Sequence, residues 1–452
     1  MSAAVLALLL LSACAAPTGE SGAGAAPPEP VIASGYRFVF GDLHVHTGAS
    51  GDGCASDVAQ IPKETCGALS DLRADALAAG LDFEALTDHT DGPQLWSGPE
   101  GDAAWRAAVD AAFAASDDTF VALPGAEIST SVTGPAGEPE QLGHKSVLFF
   151  GDEAQLAGIT RSDATPNQGS GTDVGSCQHI ADWASRLEER FGPLALVPHH
   201  TAPLHPMPTD FSCFAQALTP AVELYSHWGN SRIVAPDHLD YDQPLTAEGA
   251  EPELVSTGAT QYLLTAYPSI HAGFVGGTDS HTTHAGGVCH AHDVAGEQAF
   301  DGGLTGAWFP EEVRFDRTAL HDAIYARHTL ATSGPRVPAF VRVLDAAGET
   351  VALAGDEVSA AAVASLRVEV PGPIAQEVTA AWAITAGEGL GTEAKVAMAP
   401  DAGGWFVPWA PKPGHFVYVM LELSGPLSHP EDCLDGGLDD TERVWVSPTW
   451  FR

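Results

Sequence analysis

At 452 residues with 45% hydrophobic side chains, the chain is too apolar to be disordered throughout and long enough for two or three domains of roughly 100–200 residues each. Its 19 Lys and Arg against 59 Asp and Glu leave a formal charge of −40. That field excludes nucleic acid as a partner, because such binding rests on basic patches that neutralise phosphate.

Residues 3–13 form an apolar run of signal-peptide length, shorter than the ~20 residues that span a bilayer. It ends in Leu11-Ser12-Ala13-Cys14, which resembles a bacterial lipobox cut before the cysteine. Residues 1–13 are therefore expected to be a signal peptide. Residues 14–35, rich in Ala, Gly and Pro and without apolar periodicity, are expected to be a flexible tether carrying a lipid on Cys14. The expected location is extracytoplasmic, at a bacterial membrane, with the outer membrane favoured because Ala15 lacks the Asp of an inner-membrane retention signal. Six further cysteines remain, Cys54, Cys66, Cys177, Cys213, Cys289 and Cys433. An even number in an exported chain points to disulfides, of which only the sequence-near pair Cys54–Cys66 is specified.

From residue 36 to about 335, short apolar runs alternate with amphipathic stretches. Strands are expected over 37–43, 82–87, 119–123, 146–150, 194–198, 221–225 and 273–276, and helices over 71–79, 103–115, 179–191 and 317–328. This alternation predicts an α/β architecture, a βα barrel or a distorted relative of one. Residues 336–452 change to β-rich segments at 340–344, 366–370, 380–385 and 416–423, which predict a small C-terminal β-sandwich.

Of 19 histidines, 15 fall between His44 and His292, several at predicted strand ends. In Asp42-Leu43-His44-Val45-His46 the two histidines are two apart on a strand, so both rings share a face and can grip one ion. A second apolar strand ends in Thr87-Asp88-His89, where His89 is the better ligand and Asp88 the better orienting group. Pro124-Gly125-Ala126-Glu127 places a lone carboxylate after a third strand, where it can bridge two ions. Thr278-Asp279-Ser280-His281 repeats the same-face logic of the HxH pair. Four strand-end clusters of hard N and O donors in one chain point to a metal centre.

These motifs, HVHT followed by Asp52, then TDH, PGAEI, GHK, PHH and GTDSH, resemble in their order the PHP (polymerase and histidinol phosphatase) metallophosphoesterase superfamily. The resemblance is nearest to a branch with GDLHVHT near its start, and extends to Ala331-Thr332-Ser333-Gly334 and Trp445-Val446-Ser447-Pro448-Thr449-Trp450. It implies a distorted (βα)7-type barrel holding two or three Zn, Mn or Fe ions that hydrolyse phosphate esters. Carried over by position, it makes His44, His46, His89, Glu127, Asp279 and His281 metal ligands, with Asp52 and His144 further ligands. Either His199 or His200 matches the next position; Pro198 stands before the pair instead of after it, and His199 is favoured.

Two adjacent dications lower the pKa of a bridging water, leaving hydroxide to attack near neutral pH. Glu127, Asp88, Lys145 and His200 are the residues expected to carry catalysis. Lys145 and Arg336 are candidates to neutralise a small anionic substrate, and His200, His227 and His284 to donate a proton to the leaving group. Competing readings are an amidohydrolase-like C–N hydrolase, which shares the HxH and the late Asp, and a metal-binding lipoprotein without turnover.

Overall fold

The structure, a computed structural model, describes residues 30–54, 66–90, 99–133, 139–166, 174, 176–202, 208–214, 216–233, 255–286, 302–424 and 441–452. The expected signal peptide, Cys14 and the tether up to residue 29 lie outside the described residues, as do Cys289 and Cys433; Val31–Ala33, expected within the flexible tether, instead form a strand antiparallel to Tyr36–Val45.

The architecture is a large mixed β-sheet of 14 strands, accompanied among the described residues by a five-stranded and a three-stranded sheet and six α-helices. It corrects the expected (βα)7-type barrel. The opening does follow the βα rule: Tyr36–Val45, Phe83–Leu86 and Val121–Thr133 pair in parallel, with the helices Leu72–Ala78 and Pro99–Ala115 as crossovers. The rule then fails. Val121–Thr133 turns into Pro139–Phe149 across residues 134–138, and so short a link allows only an antiparallel return, because a parallel strand needs a crossover of a dozen or more residues. Leu194–Pro198 adds antiparallel to that hairpin, and Leu304–Pro310 adds antiparallel to Tyr36–Val45 on the other side.

The expected separate C-terminal sandwich is corrected too. Only part of the β-rich segment, including Phe340–Leu344, Ser365–Glu369 and Gly404–Pro408, forms its own sheet. Val378–Ala386, Phe416–Ser424 and Thr441–Val446 instead extend the large sheet, the last pairing with Thr329–Thr332. The physical reason is a shared apolar face: Phe38, Phe40, Trp308 and Leu330 are buried in one core with Val341, Leu366, Val444 and Phe451.

The helices form where the sequence period is 3.6. In Cys177–Phe191 the buried residues Ile180, Trp183, Ala184, Leu187 and Phe191 recur at helical spacing, Ser176 caps the start by accepting from the His179 N–H, and Gly192 ends it at φ +87°. With Leu72, Trp105 and Val109 from the two crossovers, they build a core on one side of the sheet. A second core, of Val39, Leu43, Phe83, Ala85, Leu123, Leu148, Val197 and Val275, fills the other side. At the rim of this second core the strand ends converge.

Candidate metal centre

Backbone pairing brings the two dyads together. The HxH strand end is bonded to the turn that follows Gly273–Gly276: Asp279 N–H donates to His44 O (2.9 Å), His46 N–H to Ser280 O (2.6 Å) and Thr283 N–H to His46 O (3.0 Å). Asp42, fully buried, fastens the same two segments by accepting from His44 N–H, Thr278 N–H, Thr278 Oγ1 and Gly286 N–H. Asp279 itself is held at φ +58°, a left-handed conformation that side-chain-bearing residues adopt at a cost and that occurs where structure overdetermines it.

Around this junction the N and O donors form overlapping groups that could hold metal ions, the ligand atoms within each group all lying within 4.8 Å of one another. One is His44, His46, Glu127 and Asp279; a second is Glu127, His144, His199 and His200; a third is His46, Asp52, His89 and His281. All nine sequence-predicted ligands fall in these three. Glu127 joins them. Its Oε1 faces His144 Nδ1 (2.5 Å) and His199 Nε2 (2.9 Å), while its Oε2 faces His46 Nε2 (2.9 Å), His44 Nε2 (3.2 Å) and His89 Nε2 (3.6 Å). Asp279 Oδ1 lies 3.1 Å from His46 Nε2 and 3.3 Å from His44 Nε2, and Asp52 Oδ2 lies 3.4 Å from His89 Nε2 and 3.8 Å from His281 Nε2.

The donor set fits divalent ions. It contains imidazole and carboxylate alone, nitrogen and oxygen donors that divalent ions take. Two ring nitrogens, His44 Nε2 and His46 Nε2, meet at 3.2 Å, and the buried oxygens Asp52 Oδ1 and Asp279 Oδ1 make no hydrogen bond. Without ions the charges are strongly perturbed. Burial opposes a charged ring at His46, yet the adjacent carboxylates of Asp279 and Glu127 outweigh it and lift the ring to about 10. Burial alone would raise the Glu127 carboxyl, but the rings of His89, His199 and His144 hold it well below the usual range. For His199 burial wins and pushes the ring down to about 3.

The other predicted residues divide. Asp88 stands behind the centre: its carboxylate accepts from Thr47 N–H, Thr47 Oγ1 and Ser50 N–H, and Ser50 Oγ in turn lies 2.7 Å from His46 Nδ1. It shapes the turn that orients His46 and touches no ligand group directly. His200, at φ +32°, stacks edge-on against His199 and His144, and its buried Nδ1 has no hydrogen-bond partner. His227 Nε2 is 3.4 Å from Asp279 Oδ2. Lys145, by contrast, alternates away from His144 and binds Thr130 Oγ1 (3.0 Å) and Leu142 O (2.5 Å). Arg336 donates to Ala79 O, and His284 pairs with Asp75 (3.0 Å) beside the first crossover helix. These three lie away from the donor groups.

Two residues of the centre went unpredicted. Glu223 accepts from His44 Nδ1 (3.1 Å) at 2% exposure, and the signal for it was present: a carboxylate in the middle of the apolar strand Ala221–Ser226 must be paired or functional. Trp228 donates its indole N–H to Asp279 Oδ2 (2.8 Å), for which no local pattern exists. The Cys54–Cys66 disulfide closes the segment just after Asp52, and a second disulfide, Cys177–Cys213, joins a pair that the sequence had left open. In comparisons with known proteins, no family model and no curated protein matches this chain.

Proposed function

We propose that this chain is a metal-dependent hydrolase of phosphate esters whose centre, of the PHP kind, holds two or three divalent ions of Zn, Mn or Fe. The observation that carries the proposal is Glu127, whose two oxygens face different sets of histidines, as a carboxylate shared between ions must. When bound, adjacent ions supply an activated water near neutral pH and polarise the oxygen of the bond under attack. The chain's own residues do the rest. Asp279 and Glu127 converge on the HxH pair, and Asp52, His89 and His281 provide a further subsite. His200, whose buried Nδ1 has no hydrogen-bond partner, would hand a proton to the leaving group in this reading. Since Lys145 and Arg336 are engaged elsewhere, the substrate's negative charge would be met by the ions and by histidine rings.

The test is elemental analysis of purified protein, followed by phosphomonoester, phosphodiester, sulfate-ester and amide substrates with Zn, Mn and Fe added separately. Phosphoester turnover that a chelator abolishes and metal restores is the expected result. Turnover on amides alone would favour the C–N hydrolase, and bound metal with no turnover on any substrate a binding protein.

We also propose that the protein works outside the cytoplasm, anchored by a lipid on Cys14. The two disulfides support export, since such bonds persist in oxidising compartments. Cys14→Ser is expected to release a soluble form or block processing; mass spectrometry finding no acyl group on Cys14 of the native protein would end this idea.

A further inference from the structure

One ring of the centre, His44, has a carboxylate at each of its nitrogens, and His199 stands beside it with a carboxylate in hydrogen-bond reach of Nε2 alone. On the inner side, Glu127 Oε2 lies 3.2 Å from His44 Nε2 and Glu127 Oε1 lies 2.9 Å from His199 Nε2. On the outer side, Glu223 Oε2 lies 3.1 Å from His44 Nδ1 and Glu223 Oε1 lies 4.0 Å from His199 Nδ1. The two rings stand edge to face with centroids 4.1 Å apart, but His199 Nδ1 and Glu223 Oε1 make no hydrogen bond, so the outer carboxylate holds His44 alone. One of these rings belongs to the donor group of Asp279 and the other to that of His144.

This arrangement poses a competition. A neutral imidazole carries one N–H, and only the other nitrogen has a lone pair for a metal. Glu127 can accept a proton-bearing Nε2 from either ring, which would turn the lone pair away from the centre. An acceptor at Nδ1 reverses the choice: it keeps the proton on the outer nitrogen, leaves Nε2 as the donor atom, and raises its basicity. Glu223 is the group at that position, and the fold makes room for it. A Cβ on Gly277 would come within 2.8 Å of Glu223 Oε2 and 2.5 Å of His44 Cβ, so glycine there lets the pair form. Burying this carboxylate in an apolar strand is costly unless it is paired.

We infer that Glu223 is a positioning residue which sets the tautomer of His44, presenting its Nε2 atom to the metal site, with the neighbouring His199 outside its control. The inference rests on the metal reading above, and the experiment separates the two. In metal-free protein labelled with 15N-histidine, long-range proton–nitrogen spectra report the tautomer of each ring, with His44→Gln and His199→Gln assigning the signals. His44 is expected with its proton on Nδ1 in the wild type. In Glu223→Ala it is expected to switch toward Nε2–H while His199 does not change, and zinc affinity to fall roughly 10- to 100-fold. Glu223→Gln, nearly isosteric, guards against a folding failure: its neutral amide oxygen is a weaker acceptor than a carboxylate, so His44 should keep Nδ1–H only in part, with intermediate zinc affinity. Unchanged tautomers and wild-type zinc affinity in a folded Glu223 variant would overturn the inference. A wild type that binds no zinc would instead remove the metal reading, and the tautomers alone would then decide the role of Glu223.

Discussion

Glu127 is the single residue on which the centre turns, because its two oxygens face donors from four separate segments of the chain, those of His44/His46, His89, His144 and His199. Glu127→Gln is expected to keep a cooperative thermal transition, since the cores are built from apolar residues such as Leu86 and Val147, while hydrolysis falls by orders of magnitude. A hundredfold loss corresponds to about 2.7 kcal/mol of transition-state stabilisation. Turnover near the wild-type level at saturating metal would remove this carboxylate from the mechanism. A second carboxylate tells about stability instead. Glu84 is fully buried with neither oxygen hydrogen-bonded, and burial, reinforced by Asp42 and Asp75, pushes its carboxyl up to about 8 from an ordinary 4.5. A folded-state pKa above the unfolded one means that stability is fully present below pH 4.5 and is lost as the pH rises through 8. The loss is on the order of 5 kcal/mol. Melting temperatures measured across that interval should decline in the wild type and decline much less in Glu84→Gln; parallel profiles for the two proteins would contradict the assignment.

At the scale of elements, two devices hold ligand-bearing segments in place. The Cys54–Cys66 disulfide closes a short loop directly after Asp52, and a constraint of this loop size contributes about 3 kcal/mol. The Cys54→Ser, Cys66→Ser double variant should unfold at correspondingly lower denaturant. It should also lose metal first from the subsite of Asp52, His89 and His281, which elemental analysis would show as a reduced stoichiometry. The other device ties Arg232 to Glu393 and Tyr418, with both ends of the ion pair 1% exposed. Arg232 follows Trp228, whose indole steadies Asp279, so a residue far along the chain supports the centre at one remove. Glu393→Ala removes a buried carboxylate partner of this guanidinium and is expected to cost roughly 3–5 kcal/mol in equilibrium unfolding. A change below 1 kcal/mol, the range of exposed pairs, would show that the pair is dispensable.

Across the whole molecule, the large sheet crosses residue 335 without interruption. Leu330, Ala331 and Thr332 pair with Val446, Trp445 and Val444, and Trp308 and Phe40 share their core with Val446 and Phe451. A chain ending at residue 335 would expose that face and an unpaired strand edge, both of which favour aggregation. It is therefore expected to show no single sharp melting transition and no retained metal. A truncated protein that melts cooperatively and binds zinc as the full chain does would prove this half self-sufficient.

What the sequence determined by itself is the chemistry of the donors. The strand-end dyad His44/His46, with Glu127, was legible because a two-residue spacing on a strand fixes a common face whatever the strand pairs with, whereas Asp279 and His281 lie in the turn after their strand and join different donor groups. Helix positions were legible for a similar reason: the 3.6-residue period in Cys177–Phe191 is local, and so is its Ser176 cap. The tertiary structure decided everything that depends on which strand lies beside which. The 134–138 link and the antiparallel addition of Leu304–Pro310 replaced a barrel by a mixed sheet, although the strands themselves lie close to their expected positions. The same long-range pairing brought Glu223 behind His44 across 179 residues and turned Lys145 away from the centre while His144 faced it. Apolar runs of similar composition carry no record of parallel or antiparallel partners, because both arrangements bury the same surface; direction is set by link length and by the faces that meet in the core.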